Sequence, residues 1–342
     1  MKVWPIATAA VSVVLVAGIA VGAGLAPASR GGGDVGSAPV RIGVALKGLD
    51  NPFFLAIYEG IRREAVRQGV PATVRSVPSS DDVAGEAAQL RALVAAMKDC
   101  YVVNPITGTN LLPPLRGVSR PIINIDSPID SMAAARAHVR IRSYIGTDDF
   151  EAGRVGGGRM ARLLRGRGTV ALVGGLAGSI NSGLRLSGFE RGIQGTRVRV
   201  VARVNADYDR TQAEIAAERI LRAHPRISGF FAANDLMALG IADAVGARGK
   251  TGMVRIIGMD GIAEALDAVR SGSLDATVSQ YPYVMGKMAV EACAAAARGT
   301  RLPARVDAPI ALLTKANVGA AMAAFPRPVH RYSDPFSRLL RR

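Results

Sequence analysis

From residue 40 onward the chain alternates short apolar runs with longer stretches of helical periodicity, and this constrains its fold more than any other feature. Val40–Leu46 reads as a buried strand. Pro52–Gln68 reads as a helix that opens on proline and carries Phe53, Leu55, Ile57 and Ile61 among its apolar positions. A strand at Ala72–Val77, a helix at Ala84–Met97 and strands at Cys100–Val103 and Ile122–Ile125 follow. The order begins again after Ser143. There is a strand near Tyr144-Ile145, a helix over Phe150–Leu164, a strand over Thr169–Val173, a helix over Ser182–Ile193 and a strand over Val198–Val204. Helix Thr211–Ala223, strand Gly229–Ala232 and helix Leu236–Ala247 come next, then Arg255–Met259, Ile262–Val269, Ala276–Gln280 and Val284–Ala297. Such alternation builds parallel sheets covered by helices on both faces. There are too many units for one modest sheet, and 342 residues suggest about two domains. The fold class is therefore α/β, with two doubly wound parallel-sheet lobes.

The chain is 49% hydrophobic and 20% charged, apolar enough for real cores and too apolar for disorder. Its formal net charge of +16 raises nucleic acid or an anionic surface as partners. The arginines are scattered along the chain, however, and form no stripe. One local cluster stands at the C-terminus, where Arg327, Arg331, Arg338, Arg341 and Arg342 face only Asp334. Its plainest reading is a solvated end; contact with anionic lipid or a partner is the alternative. The two cysteines, Cys100 and Cys293, fit neither a metal motif nor a disulfide framework. Whether they pair depends on a Cα separation that sequence does not give.

The first 39 residues read as an export segment and linker. Lys2 precedes an uncharged run over Ile6–Leu25, Ala26-Pro27-Ala28 has the form of a cleavage site, and residues 29–38 are rich in Gly and Ser. The run suits a cleaved signal peptide or an uncleaved membrane anchor. Either places the body outside the cytoplasm. Ile19 stands where a lipoprotein signal needs cysteine, so lipid attachment by that route is excluded.

In doubly wound sheets, ligands sit beyond the carboxyl ends of the strands. Those positions here are polar: Lys47, Asn51, Asn104, Asp126-Ser127, Asn234-Asp235, Asp260 and Gln280. Any one would suit a turn or a helix cap. A set at equivalent strand ends points to a binding cleft. Catalytic signatures are missing. There is no Gly-x-Ser-x-Gly elbow, and His138, His224 and His330 have no ligand or base at motif spacing. Gly174-Gly175-Leu176-Ala177-Gly178 lacks dinucleotide spacing, and Gly156-Gly157-Gly158 lies within a helical pattern. No enzyme activity, metal or cofactor is implied.

Several segments, in order, resemble the periplasmic sugar-binding proteins of the ribose/galactose type. They are Gly43-Val44-Ala45-Leu46 with Asn51-Pro52-Phe53-Phe54, Val103-Asn104-Pro105, Asn124-Ile125-Asp126 and Ile145-Gly146-Thr147-Asp148. Arg185-Leu186-Ser187-Gly188-Phe189, Ala206-Asp207-Tyr208-Asp209-Arg210 and Ala233-Asn234-Asp235 through Gly240 follow, then Gly258-Met259-Asp260-Gly261 and Thr277-Val278-Ser279-Gln280. The resemblance spans Arg41 to Lys315 and implies a type I periplasmic binding protein fold with a three-segment hinge near Thr147, Gln280 and Pro309. One lobe would comprise 40–147 with 281–309, the other 148–280 with 310–325, leaving 326–342 as a basic tail. It implies that Phe53, Phe54 and Tyr208 sandwich a sugar ring, whose C–H faces are apolar. Asn51, Asn104, Asp126, Arg185, Asn234, Asp260 and Gln280 would hydrogen-bond its hydroxyl rim. Asn51 could instead be a helix cap, Arg185 a surface residue, and one of the two phenylalanines a core residue.

Two positions depart from the ribose-type pattern. Ser127 stands where an arginine follows the aspartate, and Lys47 replaces a small polar residue after the first strand. Lys47 is expected to take over part of that guanidinium's role against Asp126 or the ligand, though a point charge does not reproduce a bidentate fork. The resemblance implies a monomeric, extracytoplasmic binding protein that closes on a sugar or polyol and delivers it to an ABC transporter permease. The alternative is a sensory binding protein reporting to a receptor or kinase. The repressors that share this fold begin with a helix-turn-helix. An apolar export segment occupies that place here, so nucleic acid is not expected as a partner.

Overall fold

The computed structural model describes residues 39–340. The export segment and linker read over residues 1–39 lie, apart from Pro39, outside the described residues. The first sheet receives β1 (Ile42–Leu46), β2 (Ala72–Ser76), β3 (Cys100–Val103), β4 (Ile122–Ile125) and β5 (Ser143–Gly146). Between them run α1 (Pro52–Gln68), α2 (Val83–Ala95), α3 (Leu112–Leu115) and α4 (Ser131–Arg136). The chain then passes through α5 (Asp149–Leu163) into a second sheet. Its strands are β6 (Arg167–Gly174), β7 (Arg197–Asn205), β8 (Gly229–Ala232), β9 (Arg255–Asp260) and β10 (Ala276–Ser279). Its remaining helices are α6 (Ile180–Ile193), α7 (Arg210–Ala223), α8 (Asp235–Ala247) and α9 (Ala263–Ser271). Then come α10 (Pro282–Ala297), β11 (Arg305–Asp307), β12 (Ala311–Thr314), α11 (Val318–Ala324) and α12 (Pro335–Leu339).

The two sheets repeat one topology. The strand orders are β2-β1-β3-β4-β5-β11 and β7-β6-β8-β9-β10-β12. All pairings are parallel except β12 with β10. In each, the order reverses at the central strand, β1 or β6, and opens the crevice that such sheets use for ligands. Central strands such as β1, β3 and β8 are buried throughout. They read as continuous apolar runs because helices cover both faces. The edge strand β2 alternates between half-buried and exposed.

Local signals set the helix ends. Asn51 caps α1 ahead of Pro52, and Gly69 closes it at φ 64. Asp148, Ser179, Asp209 and Asn234 cap α5, α6, α7 and α8 with side-chain acceptors. The run Gly156-Gly157-Gly158, which stays helical within α5, has a packing reason. A Cβ at Gly157 would collide with the Phe189 carbonyl of α6, and one at Gly153 with that of Arg185. The small residues let α5 and α6 approach backbone to backbone, which fixes the helix that carries Arg185.

Chain passages between the sheets occur at Thr147–Asp148, Gln280–Tyr281 and Ala308–Ile310. Cys100 of β3 and Cys293 of α10 form a disulfide with a Cα separation of 5.6 Å. The reading of the C-terminal tail as a solvated end does not hold for its described part. Phe336 is fully buried, and Asp334 pairs with Lys287. Arg327, Arg331 and Arg338 do face solvent. The charges that dominate the sequence there conceal the apolar residues that pack. No helix among the described residues is long and apolar enough to cross a membrane.

Candidate functional site

On the first lobe, Lys47 leaves the end of β1 and its ammonium lies 2.5 Å from Ser127 Oγ and 3.4 Å from Asp126 Oδ2. It also stands 5.1 Å from the centroid of the Phe54 ring, a cation–π distance. Asn104, fully buried after β3, donates to Asp126 Oδ2 at 3.0 Å in the amide orientation that satisfies both its ends. Asp126 follows β4 at φ 57, a left-handed conformation that Asp tolerates better than most residues. Asn124 holds that turn, donating to Ser127 O at 2.8 Å and accepting from Ile129 N–H at 2.8 Å. Buried Glu86 fixes the loop after Asn104, accepting from Ile106 N–H at 2.9 Å and Asn110 at 2.6 Å. Its carboxyl is raised by burial.

On the second lobe, Arg185 projects from α6 and uses three donors. Nε meets Asp149 at 2.6 Å, Nη1 the Ala233 carbonyl at 2.8 Å and Nη2 Gln280 Oε1 at 3.0 Å. Gln280 in turn donates to Asp260 Oδ1 at 2.6 Å. Burial pushes the Asp260 carboxyl well above its usual range, reinforced by the Asp235 carboxylate beside it, while Arg185 opposes both. Burial likewise raises Asp149, against the pull of Arg185. Asp235 accepts from Thr277 Oγ1 and from the Gly261 and Ile262 N–H groups, yet burial still pushes it up to about 6. Asp260 sits at φ 135 and Tyr208 at φ 62. Strained backbone of this kind persists where the surroundings over-determine it. The Tyr208 ring lies against Gly175, where a Cβ would enter it, and its hydroxyl is 2.8 Å from Ser179 Oγ.

The two groups face one cleft. Asn181 of α6 donates to the Asp126 carbonyl at 3.2 Å, joining second lobe to first. Asp126 acts electrostatically on Asp149, Tyr208 and Asp260. The structure thus gathers Lys47, Phe54, Asn104, Asp126 and Ser127 on one wall, and Arg185, Tyr208, Asp260 and Gln280 on the other. Asn51 and Asn234 spend their Oδ1 atoms on helix caps, at 2.9 Å from Phe53 N and Met237 N respectively. Asn234 Nδ2 also donates to the Tyr208 backbone carbonyl at 3.3 Å, which steadies that loop. Phe53 and Phe54 meet edge-on at 5.5 Å, and both pack into the core beneath the cleft, 3% and 8% exposed. Sequence reasoning passed over Asp149, Tyr144 and Asn181. Tyr144 donates to the Asp126 carbonyl at 2.6 Å. Asp149 stands just after β5, where the rule of polar strand ends reaches it. No such signal marks Asn181.

Two repeated parallel-sheet lobes with a polar cleft between them define a type I periplasmic binding protein. The periplasmic binding protein domain matches residues 42–301, and the chain belongs to that family. It is 31% identical over 256 residues to the D-allose-binding periplasmic protein of Escherichia coli (strain K12), covering 73% of this chain and 82% of that one. It is 29% identical over 277 residues to the ribose import binding protein of Bacillus subtilis (strain 168), covering 80% and 87%. Among solved structures it resembles an ABC transporter periplasmic solute-binding protein from Actinobacillus succinogenes 130z with bound D-allose. The TM-score is 0.78 at 26% identity, over 82% of this chain and 99% of that one.

Proposed function

We propose that the protein is an extracytoplasmic solute-binding protein that closes on a neutral sugar or polyol and delivers it to an ABC transporter. The observation that carries this is the convergence of two walls rich in fixed acceptors and donors beside aromatic rings. Asp126 commits Oδ2 to Lys47, Asn104 and Ser127, leaving Oδ1 for a ligand hydroxyl. Asp260 commits Oδ1 to Gln280, leaving Oδ2. Each cation faces a carboxylate partner, so neither Lys47 nor Arg185 is left to attract an anionic ligand. Hydrogen bonds to charged groups contribute about 1.5–3 kcal/mol each, and a ligand lacking the matching hydroxyl would leave them buried and unpaired. Phe54 and Tyr208 supply apolar faces for the ring.

Transport is favoured over sensing because the relatives of known role are import and solute-binding proteins of transporters. The buried disulfide suits an oxidising compartment outside the cytoplasm. The three passages near Thr147, Gln280 and Pro309 serve as the hinge between lobes 40–147 with 281–309 and 148–280 with 310–325. Ligand bridges both walls and so favours the closed form. The protein acts without catalysis, as a monomer, with the permease as partner.

A thermal-shift screen against pentoses, hexoses, pentitols, tetritols and inositols tests this. A ligand at ~100 times its dissociation constant stabilises by about 2.7 kcal/mol. A shift with one polyhydroxylated compound, lost in Asp126→Ala and Arg185→Ala variants that remain folded, supports the reading. Folded protein that responds to none of them refutes it.

A further inference from the structure

Beyond β12 the chain does not finish on the second lobe. α11 packs on α9 and β12, with Val318 and Ala321 buried. From Phe325 the chain turns back. Phe325 and Pro326 line a small cavity with Leu313 of the second lobe, Ala56 of α1 and Tyr281 at the passage between lobes. The Val329 N–H donates to Tyr281 Oη at 3.4 Å. Asp334 then pairs with Lys287 of α10, which also holds Glu291 at 2.8 Å. Phe336 is fully buried in the core that α10 helps to form. α10 is a first-lobe helix, packed on α1, β3, β4 and β5, and α12 packs on it.

We infer that residues 325–337 are a strap that ties the second lobe to the first outside the hinge and restrains opening of the cleft. The three other passages are short turns at strand ends, where rotation displaces the backbone least. The strap is anchored elsewhere. Lys287 lies about 7.5 Å along α10 from Pro282, at 1.5 Å per residue. A rotation that opens the cleft therefore swings α11 relative to the Asp334 and Phe336 anchors. The bond at Val329 divides the strap into two short spans, so little slack takes up that swing. The structure shows the closed arrangement, with Asn181 bonded across the cleft and the strap docked at both ends. Opening must stretch the strap or release Phe336. Its presence thus biases the ligand-free protein toward closure, which raises apparent affinity by enlarging the binding-competent fraction.

The test measures lobe separation in the ligand-free full chain. Cysteines replacing exposed Arg116 on the first lobe and Arg248 on the second carry spin labels, since the native cysteines are joined to each other. A short Gly-Ser insertion after His330 slackens the strap and keeps both anchors. The expected result is a broader distance distribution shifted to longer separations, with an unchanged Tm. Asp334→Asn, which weakens one anchor, shifts it the same way by less. An insertion variant whose distribution matches the parent overturns the strap, even if Phe336→Ala lowers Tm, because a merely packed tail behaves so. No ligand enters the measurement, so its outcome is independent of what the cleft binds.

Discussion

The two walls of the cleft solve one problem differently. Each sets a cation against a carboxylate that follows a strand: Lys47 leaves β1 to meet Asp126 after β4, and Arg185 reaches from α6 to Asp149 after β5. On the second lobe the cation is a guanidinium held by Asp149, the Ala233 carbonyl and Gln280, so every bonded atom has a fixed direction. On the first it is an ammonium that bonds Ser127, reaches Asp126 and lies over an aromatic ring. A planar fork specifies orientation, whereas a point charge on a flexible stem specifies only proximity. In the proposed binding role, the second wall serves as a rigid template and the first as the adjustable side.

The contrast predicts unequal costs. Arg185→Met strands Asp149 in the interior, 3% exposed and without its partner. Breaking a buried pair from one side costs about 3–5 kcal/mol, read from urea denaturation at pH 7. The first lobe gains its rigidity elsewhere. Its disulfide joins β3 to α10 across 193 positions, a loop that encloses the entire second sheet apart from β12. Replacing both cysteines with alanine lowers stability by about 2–5 kcal/mol, visible as a lower denaturation midpoint that reductant no longer moves. A double variant as stable as the parent would leave the first lobe without this clamp.

The alternation of strands and helices was legible because strands covered on both faces are continuous apolar runs that no loop imitates. β11 and β12 were not, since both are edge strands, Arg305–Asp307 being three residues with charged ends and Ala311–Thr314 only four residues long. The tail escaped for a related reason: one buried Phe336 among exposed arginines carries no periodicity. Strand ends identified Lys47, Asn104, Asp126, Asp260 and Gln280 as residues that would share a cleft, because topology alone brings those positions together. The dual duty of Asn51 and Asn234 as caps was ambiguous, since the same residue type suits both tasks. The positive φ values at Asp126, Tyr208 and Asp260 leave no trace in side-chain patterning. Nor does the bond from Asn181, which depends on how two separately formed lobes meet.

The second wall also carries a titration. Asp235, beneath the second wall, is pushed up to about 6 by burial. Its unfolded value is about 3.9, so between these values the folded protein binds more protons than the unfolded chain. Stability from this group is complete below pH ~4 and is lost as pH rises through about 6. Asp235→Asn has no such proton to lose and also removes the charge that helps raise Asp260, so the two carboxyls are read as a pair. The difference in unfolding free energy between parent and variant therefore shifts against the parent across that window. Parallel pH profiles for the two would show that the Asp235–Asp260 pair takes up no such proton on folding.

The smallest effect belongs to Lys47. In Lys47→Met, Asp126 keeps Asn104 and Ser127 as donors, and the methionine stem still covers Phe54, so the fold loses little. A stability loss of about 1 kcal/mol is expected, below that of Arg185→Met because two donors remain on Asp126. Ligand binding is expected to change more, because the carboxylate proposed to accept from the ligand loses its counter-charge. A loss of about 1.4 kcal/mol is tenfold in dissociation constant, measured by calorimetry with the compound that the thermal screen selects. Lys47→Arg sharpens the contrast, since a fork at this position would give the first wall the directionality of the second and narrow the range of ligands bound. Should Lys47→Met instead unfold the protein as readily as Arg185→Met, the first wall is as much a structural keystone as the second, and the division between template and adjustable wall fails.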